Sequence, residues 1–230
     1  MIKIEKTKTL VGVILALVAV LFCFITSDPI TTSGVWHLAT FVPCVATLAD
    51  SITMDCDNPR VSGYEDTALI FNRNDIDWSS VVTDANNPRI IKSFSTLSDK
   101  APFVIYNPKR VPASFDGSNT TLNSENGKYT KAVQFYFEGI GGGASKDVVE
   151  PLANGSFVIL LQRKDHRGHG SFQLMGWQAG MYANAQVQDE TTGYWLITMN
   201  TDEPYGEVEL FDTDYATTKA AFDDMLARVA

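Results

Sequence analysis

The chain has 230 residues, of which 45% are apolar, so it can bury the core of one sizeable domain or two small ones and is not disordered throughout. Its formal net charge of −9 repels phosphate backbones, so we expect no direct binding of nucleic acid. Aromatic residues make up 11% of the chain, which favours β-sheets and buried subunit contacts over a helical bundle.

The first element is an apolar run over residues 10–25, LVGVILALVAVLFCFI, which carries no charge and follows Lys3, Lys6 and Lys8. This pattern predicts an N-terminal apolar helix that contacts a membrane. The run is short for a bilayer span, which needs about 20 residues, and long for the apolar part of a signal peptide. An uncleaved anchor with its lysines on the cytoplasmic side is the more direct interpretation.

The rest of the chain divides into a linker and a domain. The stretch from residue 31 to residue 48 follows neither a helical nor a strand period, and a compact domain begins close to its end. We therefore predict an N-terminal apolar segment and linker over 1–46 and a β-rich domain over 47–230. An upstream start in the gene model would give the same pattern, so the alternative that residues 1–46 do not belong to the working protein stays open.

From residue 48 onward, short apolar runs alternate with turn residues, which predicts a mainly β fold, either a sandwich or a barrel. In the segment 131–138, Val133, Phe135 and Phe137 share one purely apolar face, so this strand should be half buried. The predicted strands cover residues 52–54, 67–71, 89–94, 103–106, 131–138, 156–162, 171–177, 194–199 and 207–211.

Three connecting features follow from the same pattern. The segment 157–162, FVILLQ, is apolar on both faces, which predicts a central strand or one at an interface. The segment 165–170, DHRGHG, has two glycines between two strand signals and predicts a hairpin. Residues 107–130 are polar and without a period, and a connection this long is uncommon unless it binds something or is disordered. In a self-assembling β-domain it can reach a neighbouring subunit.

Helical signals are few. We predict one short helix near 145–153, with Ser145 as its N-cap and Pro151 as an interruption. A second helix over 216–229 has an apolar stripe, and Asp214 or Thr213 is suited to cap it. The stripe contains Ala221, Met225 and Val229, with Phe222 and Leu226 beside them.

Two motifs resemble cofactor-binding or metal-binding sites, but each has a simpler interpretation. Residues 139–144, GIGGGA, match the loose dinucleotide-binding pattern without the surrounding βαβ units, which favours a flexible turn. His166 and His169 lie three residues apart beside Asp165, which leaves a metal ion short of ligands, so an exposed hairpin tip is expected. If these histidines matter, the effect to expect is protonation at mildly acidic pH.

Two acidic clusters are predicted to cap turns. Asp55, Asp57, Glu65 and Asp66 form the first, and Asn72, Asn74, Asp75 and Asp77 form the second; neither has the glycine and terminal glutamate of a calcium loop. We therefore predict no catalytic, cofactor-binding or metal-binding residues, and no enzymatic activity. The three cysteines, Cys23, Cys44 and Cys56, form no metal motif, although an oxidising compartment would allow one bridge between Cys44 and Cys56.

A resemblance covers residues from about 47 to 212. The segment ADSITMDCDNPRVSGYEDTALIFN resembles the opening of small structural proteins from phages and prophages of Bacteroidetes, and FVILLQRKDHRGHGSFQLMGWQAGM is similar to their paired strands. The residues that match the pattern are Asp55, Cys56, Asn58, Pro59, Gly63, Glu65, Asp66, Gly176 and Gly180.

The resemblance implies a virion subunit of the tail-tube kind, a β-sandwich or barrel with a flanking helix that assembles as a ring and stacks through an extended loop. Its expected partners are copies of itself and neighbouring virion proteins, and its location is the virion. The apolar segment 10–25 departs from this pattern because a tube subunit does not need it. The alternative from another class is a membrane-anchored bacterial envelope protein whose β-rich domain binds a ligand or partner outside the cytoplasm.

Overall fold

The computed structural model describes residues 48, 51–52, 56, 59–106, 115, 117–139 and 141–229. The chain divides into two compact units, Met1–Met54 and Asp55–Ala230, and nearly all of the described residues belong to the second. The predicted N-terminal helix and most of the predicted strand 52–54 lie outside the described residues. The division into 1–46 and 47–230 stays a prediction.

Eleven strands and a few short helices make up the described part of the second unit, where 46% of the described residues are strand and 17% are helix. The mainly β prediction is therefore confirmed. The strands are β1 (Tyr64–Asn72), β2 (Ile76–Thr83), β3 (Ile90–Thr96), β4 (Phe103–Tyr106), β5 (Asn119–Asn123), β6 (Lys128–Glu138), β7 (Phe157–Arg163), β8 (Phe172–Met175), β9 (Tyr182–Asp189), β10 (Tyr194–Glu203) and β11 (Glu209–Leu210).

The strands form two sheets. The larger has seven strands in the order β2-β3-β11-β8-β7-β1-β4, and the smaller has four in the order β5-β6-β10-β9. All described pairings are antiparallel except the short parallel contact between β3 and β11. Among the described residues, each sheet therefore ends in two outer strands, β2 and β4 in one and β5 and β9 in the other.

Two apolar clusters lie on the two faces of the larger sheet. The first lies between the sheets and joins residues such as Ile70 and Ile159 of the larger sheet to Val133 and Ile197 of the smaller one. The second lies on the other face of the larger sheet and includes Phe222 of the C-terminal helix. Because β7 contributes alternate residues to both clusters, it is buried on both faces, as its sequence predicts.

Most predicted strands are confirmed, including the hairpin that joins β7 to β8. Three strands were missed. β2 contains Asp77, a member of the predicted turn-capping cluster, and two serines. β5 lies inside the stretch 107–130 that shows no period, and β9 lacks a clear apolar alternation. The interpretation of 107–130 as one long connection is therefore wrong, because residues 119–123 and 128–130 are strand.

The helices begin and end differently from the prediction. Helical structure runs from α1 (Gly142–Ala144) through a π-helical turn (Ser145–Val149) to α2 (Glu150–Asn154), so Ser145 is not an N-cap. Pro151 does not interrupt the helix, and it lies in the first turn of α2 directly after the π-helical turn. The wider π turn before it relieves the contact that a proline ring makes with the preceding turn.

The C-terminal helix is α3 (Tyr215–Leu226), somewhat shorter than predicted. Asp214 is its N-cap, and its side chain accepts a hydrogen bond of 2.7 Å from the Thr217 amide. Phe222 is the buried centre of the stripe, whereas Ala221 is exposed, so the predicted stripe is rotated by about one residue.

Candidate assembly surface and other candidate sites

The outer strands of the two sheets are the first candidate surface. An outer strand leaves a row of backbone N–H and C=O groups that can pair with a strand from another chain. Proteins that stay monomeric protect such edges with bulges, charged residues or covering elements. The four outer strands differ in this protection.

β2 is protected. Residues 78–81 stand opposite the single residue Phe94, which makes a wide bulge in the pairing with β3. The Ser80 hydroxyl accepts a hydrogen bond of 2.9 Å from the Ser95 amide. The exposed Trp78 ring is covered in part, because its centre lies 5.0 Å from that of Trp177. This edge is therefore irregular.

β5 and β9 are intermediate cases. β5 has the sequence NTTLN, and its only large apolar side chain is Leu122, which is 56% exposed. β9 pairs with β10 but skips Asn184, which makes a bulge. Beyond that bulge, residues 185–189 continue in regular register, and Val187 on this straight half is 58% exposed.

β4 has none of these protections in the part of the chain that the structure describes. Its pairing with β1 is regular, from Thr67 opposite Tyr106 to Ile70 opposite Phe103. It contains no charged residue, and Phe103 and Tyr106 are 57% and 60% exposed. We call Phe103–Tyr106 with its outward backbone groups the β4 edge.

The hairpin between β7 and β8 is the second candidate site. It carries both histidines that sequence analysis singled out, and both are exposed, as predicted. His166 lies 3.0 Å from the Glu65 carboxylate, and His169 lies 2.8 Å from the Glu209 carboxylate. The two histidines therefore have separate acidic partners, and no group of three or more ligands suitable for a metal occurs among the described residues.

A cleft of about 450 Å³ lies beside this hairpin and is lined by charged residues of both signs. Arg163 lies 3.2 Å from Glu207, which also accepts a hydrogen bond of 2.6 Å from the Gln173 side chain. Gln173 in turn accepts a hydrogen bond of 2.5 Å from the Tyr64 hydroxyl. Burial raises the pKa of Tyr64, against a smaller lowering by Arg163. These contacts join β1, β7 and β8 to the segment that precedes β11.

A buried ion pair is the feature that sequence reasoning missed. The Lys131 ammonium lies 2.8 Å from the Glu203 carboxylate, and both side chains are almost completely buried. The other Glu203 oxygen accepts a hydrogen bond of 2.7 Å from the Gln178 amide. A signal was available, because Lys131 precedes Val133 and Phe135 on the apolar face of its strand.

The two glycines of the predicted resemblance build the turn that meets Glu203. Gly176 and Gly180 have φ values of +79° and +80°, which favour glycine. A Cβ atom on Gly176 would lie 2.7 Å from the Phe157 carbonyl oxygen. The backbone conformation of this turn therefore favours glycine at both positions.

The remaining candidate motifs behave largely as turn elements. In the second acidic cluster, Asp77 accepts hydrogen bonds from the amide and hydroxyl of Ser79, and Asp75 accepts one from Asn72. The glycine-rich segment leads into α1 with Gly141 at a φ of +95°. In the first cluster, Glu65 is the partner of His166, whereas Asp55 and Asp57 lie outside the described residues, as does Cys44 of the predicted disulfide.

Comparison with known proteins gave no match to a family model, to a curated protein or to a solved structure. Within the described residues, no helix is long and apolar enough to cross a membrane. The apolar segment 10–25 lies outside them.

Proposed function

We propose that this chain is a phage virion structural subunit, of the tail tube or an adjacent ring, that assembles by associating with copies of itself. The observation that carries the proposal is the β4 edge, a regular outer strand that is uncharged and exposes large apolar side chains. Such an edge is an aggregation hazard in a monomer, and pairing with another subunit removes the hazard.

Self-association would give the β4 edge a second neighbouring strand. A neighbouring strand would pair the outward backbone groups and cover Phe103 and Tyr106, whose burial is favourable by about 25 cal/mol per Å² of apolar surface. A closed ring would leave no such edge exposed. On this proposal the two sheets are the sandwich of a ring subunit, and its partners are sibling subunits and adjacent virion proteins. The chain then has an architectural role and no catalytic step.

The test is the mass and shape of the purified full chain. We expect light scattering to give a multiple of the 25.3 kDa chain mass and electron microscopy to show rings or tubes. A strictly monomeric species at high concentration would contradict the proposal.

A membrane-anchored envelope protein is the second candidate, and the uncharged run 10–25 behind three lysines favours it. On this alternative the native protein partitions with membranes and resists extraction by carbonate or by salt. Release of the native protein by either treatment alone would count against the alternative and leave the virion proposal standing.

A further inference from the structure

We propose that the β4 edge of one copy pairs with the straight half of β9, residues 185–189, in a second copy of this chain. The strands run antiparallel, with Phe103 opposite Val187 and Lys100 opposite Glu190. This inference rests on the self-association proposed above and names the two surfaces that meet.

β9 can act as the partner because its outer side has a regular stretch that carries an exposed apolar residue. Beyond the bulge at Asn184, residues 185–189 keep the register that a further strand needs, whereas the bulge in β2 interrupts its central part. The proposed register pairs Phe103, 57% exposed, with Val187, 58% exposed. An aromatic residue opposite a β-branched residue is a favourable cross-strand pair, worth roughly 0.2–1 kcal/mol relative to two alanines.

Charge also distinguishes β9 from a second β4 as the partner. Lys100 is exposed just before β4, and the acidic Asp189 and Glu190 are exposed at the end of β9. In an antiparallel pair the start of one strand lies beside the end of the other, so Lys100 meets these carboxylates. Asp189 stays ionised, since the Thr191 amide 2.9 Å away lowers its pKa. Two β4 strands paired together offer Lys100 no acidic residue from Phe103–Tyr106.

The pairing has a consequence for assembly. Since β4 and β9 are different surfaces, each copy that uses its β4 edge still presents its own β9, and each that uses β9 still presents β4. Such a head-to-tail contact repeats until a ring closes, or continues as a filament if it does not. A pairing of β4 with β4 would instead stop at a dimer.

Engineered disulfides test the contact. The background is the full chain with Cys23→Ser, Cys44→Ser and Cys56→Ser, into which Phe103→Cys and Val187→Cys are introduced. Directly opposed residues of antiparallel strands have Cα atoms about 4.5–5.5 Å apart, and a disulfide needs about 4.4–6.8 Å.

The control replaces Val187→Cys by Leu122→Cys, because Leu122 has nearly the same exposed fraction on the outer strand β5. Under mild oxidation the Phe103→Cys, Val187→Cys chain should give a ladder in multiples of 25.3 kDa that collapses on reduction. An equimolar mixture of the two single variants should give a linked dimer and no ladder. The control should give neither.

Other results overturn the inference in distinguishable ways. A disulfide-linked dimer of Phe103→Cys alone, or an equal ladder from the Leu122→Cys control, would contradict the β4–β9 contact. An oligomer in light scattering without the Phe103–Val187 cross-link would overturn this contact and leave the proposed self-association intact. A monomeric mass for the unmodified chain would refute both.

Discussion

Two places in the described unit reverse the usual distribution of polarity, a buried ion pair in its largely apolar interior and its outer strand β4. Inside, Lys131 and Glu203 form an ion pair that is shielded from water, whereas at the edge Phe103 and Tyr106 are exposed. Charged residues are rarely fully buried unless they are paired, and a contiguous exposed apolar patch often marks an interaction surface. The two regions therefore differ in pairing: the buried charges are paired with each other, whereas the outer side of β4 has no paired strand among the described residues.

The charges of the buried pair are compensated within one copy, whereas the β4 edge has no second neighbouring strand among the described residues. Glu203 has an ammonium on one oxygen and a backbone amide on the other, so its charge is compensated inside the fold. The β4 edge has a described neighbour on only one side. Changes at the buried pair should therefore affect folding, and changes at the edge should affect association.

The largest effect is expected from Glu203→Gln, which leaves the Lys131 ammonium buried without a negative partner. Removing one member of a buried ion pair typically costs about 3–5 kcal/mol of folding stability. Urea unfolding of the variant should show this loss. The double variant Lys131→Met, Glu203→Gln removes both charges and keeps an acceptor for the Gln178 amide, so it should be more stable than Glu203→Gln alone. The single variant Lys131→Met completes the comparison. If the double variant loses as much folding stability as the two single variants added together, the two charges are not coupled.

The next largest effect is expected from Phe103→Lys, which adds a charge to the β4 edge as natural edge strands do. Its dissociation constant for self-association should rise at least tenfold, or about 1.4 kcal/mol. Its folding stability should change by no more than about 0.5 kcal/mol, because the side chain lies on the surface. Sedimentation velocity and urea unfolding measure the two quantities.

Leu122→Lys is the matched control, since it makes the same charge change at nearly the same exposed fraction on β5. It should leave self-association unchanged. Equal loss of association in both variants would mean that net charge, and not the β4 edge, controls assembly.

A smaller effect is expected from Gly176→Ala, in the turn whose amides meet Glu203. The positive φ and the nearby Phe157 carbonyl oxygen make alanine unfavourable there, so we expect a loss of at least about 1 kcal/mol in thermal or urea unfolding. Gly143→Ala is the control, because α1 has open space at that position. Alanine there should leave stability unchanged or raise it slightly. Equal losses at both glycines would refute this account of the turn.

The smallest effect is expected from Asp214→Asn at the start of α3. Hydrogen bonds from the Thr217 amide lower the pKa of Asp214 below its unfolded value of 3.8. Its ionised form therefore adds stability above that value, and the contribution disappears as the pH falls through the folded pKa. Asparagine keeps the cap without titrating. The stability difference between the two chains should shrink from pH 6 to pH 2, and a constant difference would contradict the role of the Asp214 charge.

Whether a strand could be predicted from the sequence depended on how that strand is buried. The buried strand β7 was predicted because an apolar run of five residues has few alternatives, and β4 was predicted residue for residue. β2 and β9 were missed because outer strands with bulges lose the alternation by which strands are recognised. β5 was missed because it contains a single apolar residue, Leu122, which gives no alternation.

The candidate surface could be predicted only in part. The aromatic content indicated buried subunit contacts, but whether Phe103 faces a core or solvent depends on which strands flank it. That order joins residues far apart in the chain, such as Thr67 with Tyr106. The ion pair Lys131–Glu203 depends likewise on the pairing of β6 with β10, for which local sequence gives no register.

Hydrogen–deuterium exchange of the full chain, at a dilution where it is monomeric and at a concentration where it assembles, tests the central claim most directly. The account predicts that backbone amides of residues 103–106 and 185–189 exchange more slowly in the assembled protein, while those of β2 and β5 do not change. An increase in mass with no slowing of exchange at 103–106 would show that the copies meet elsewhere and would contradict the claim.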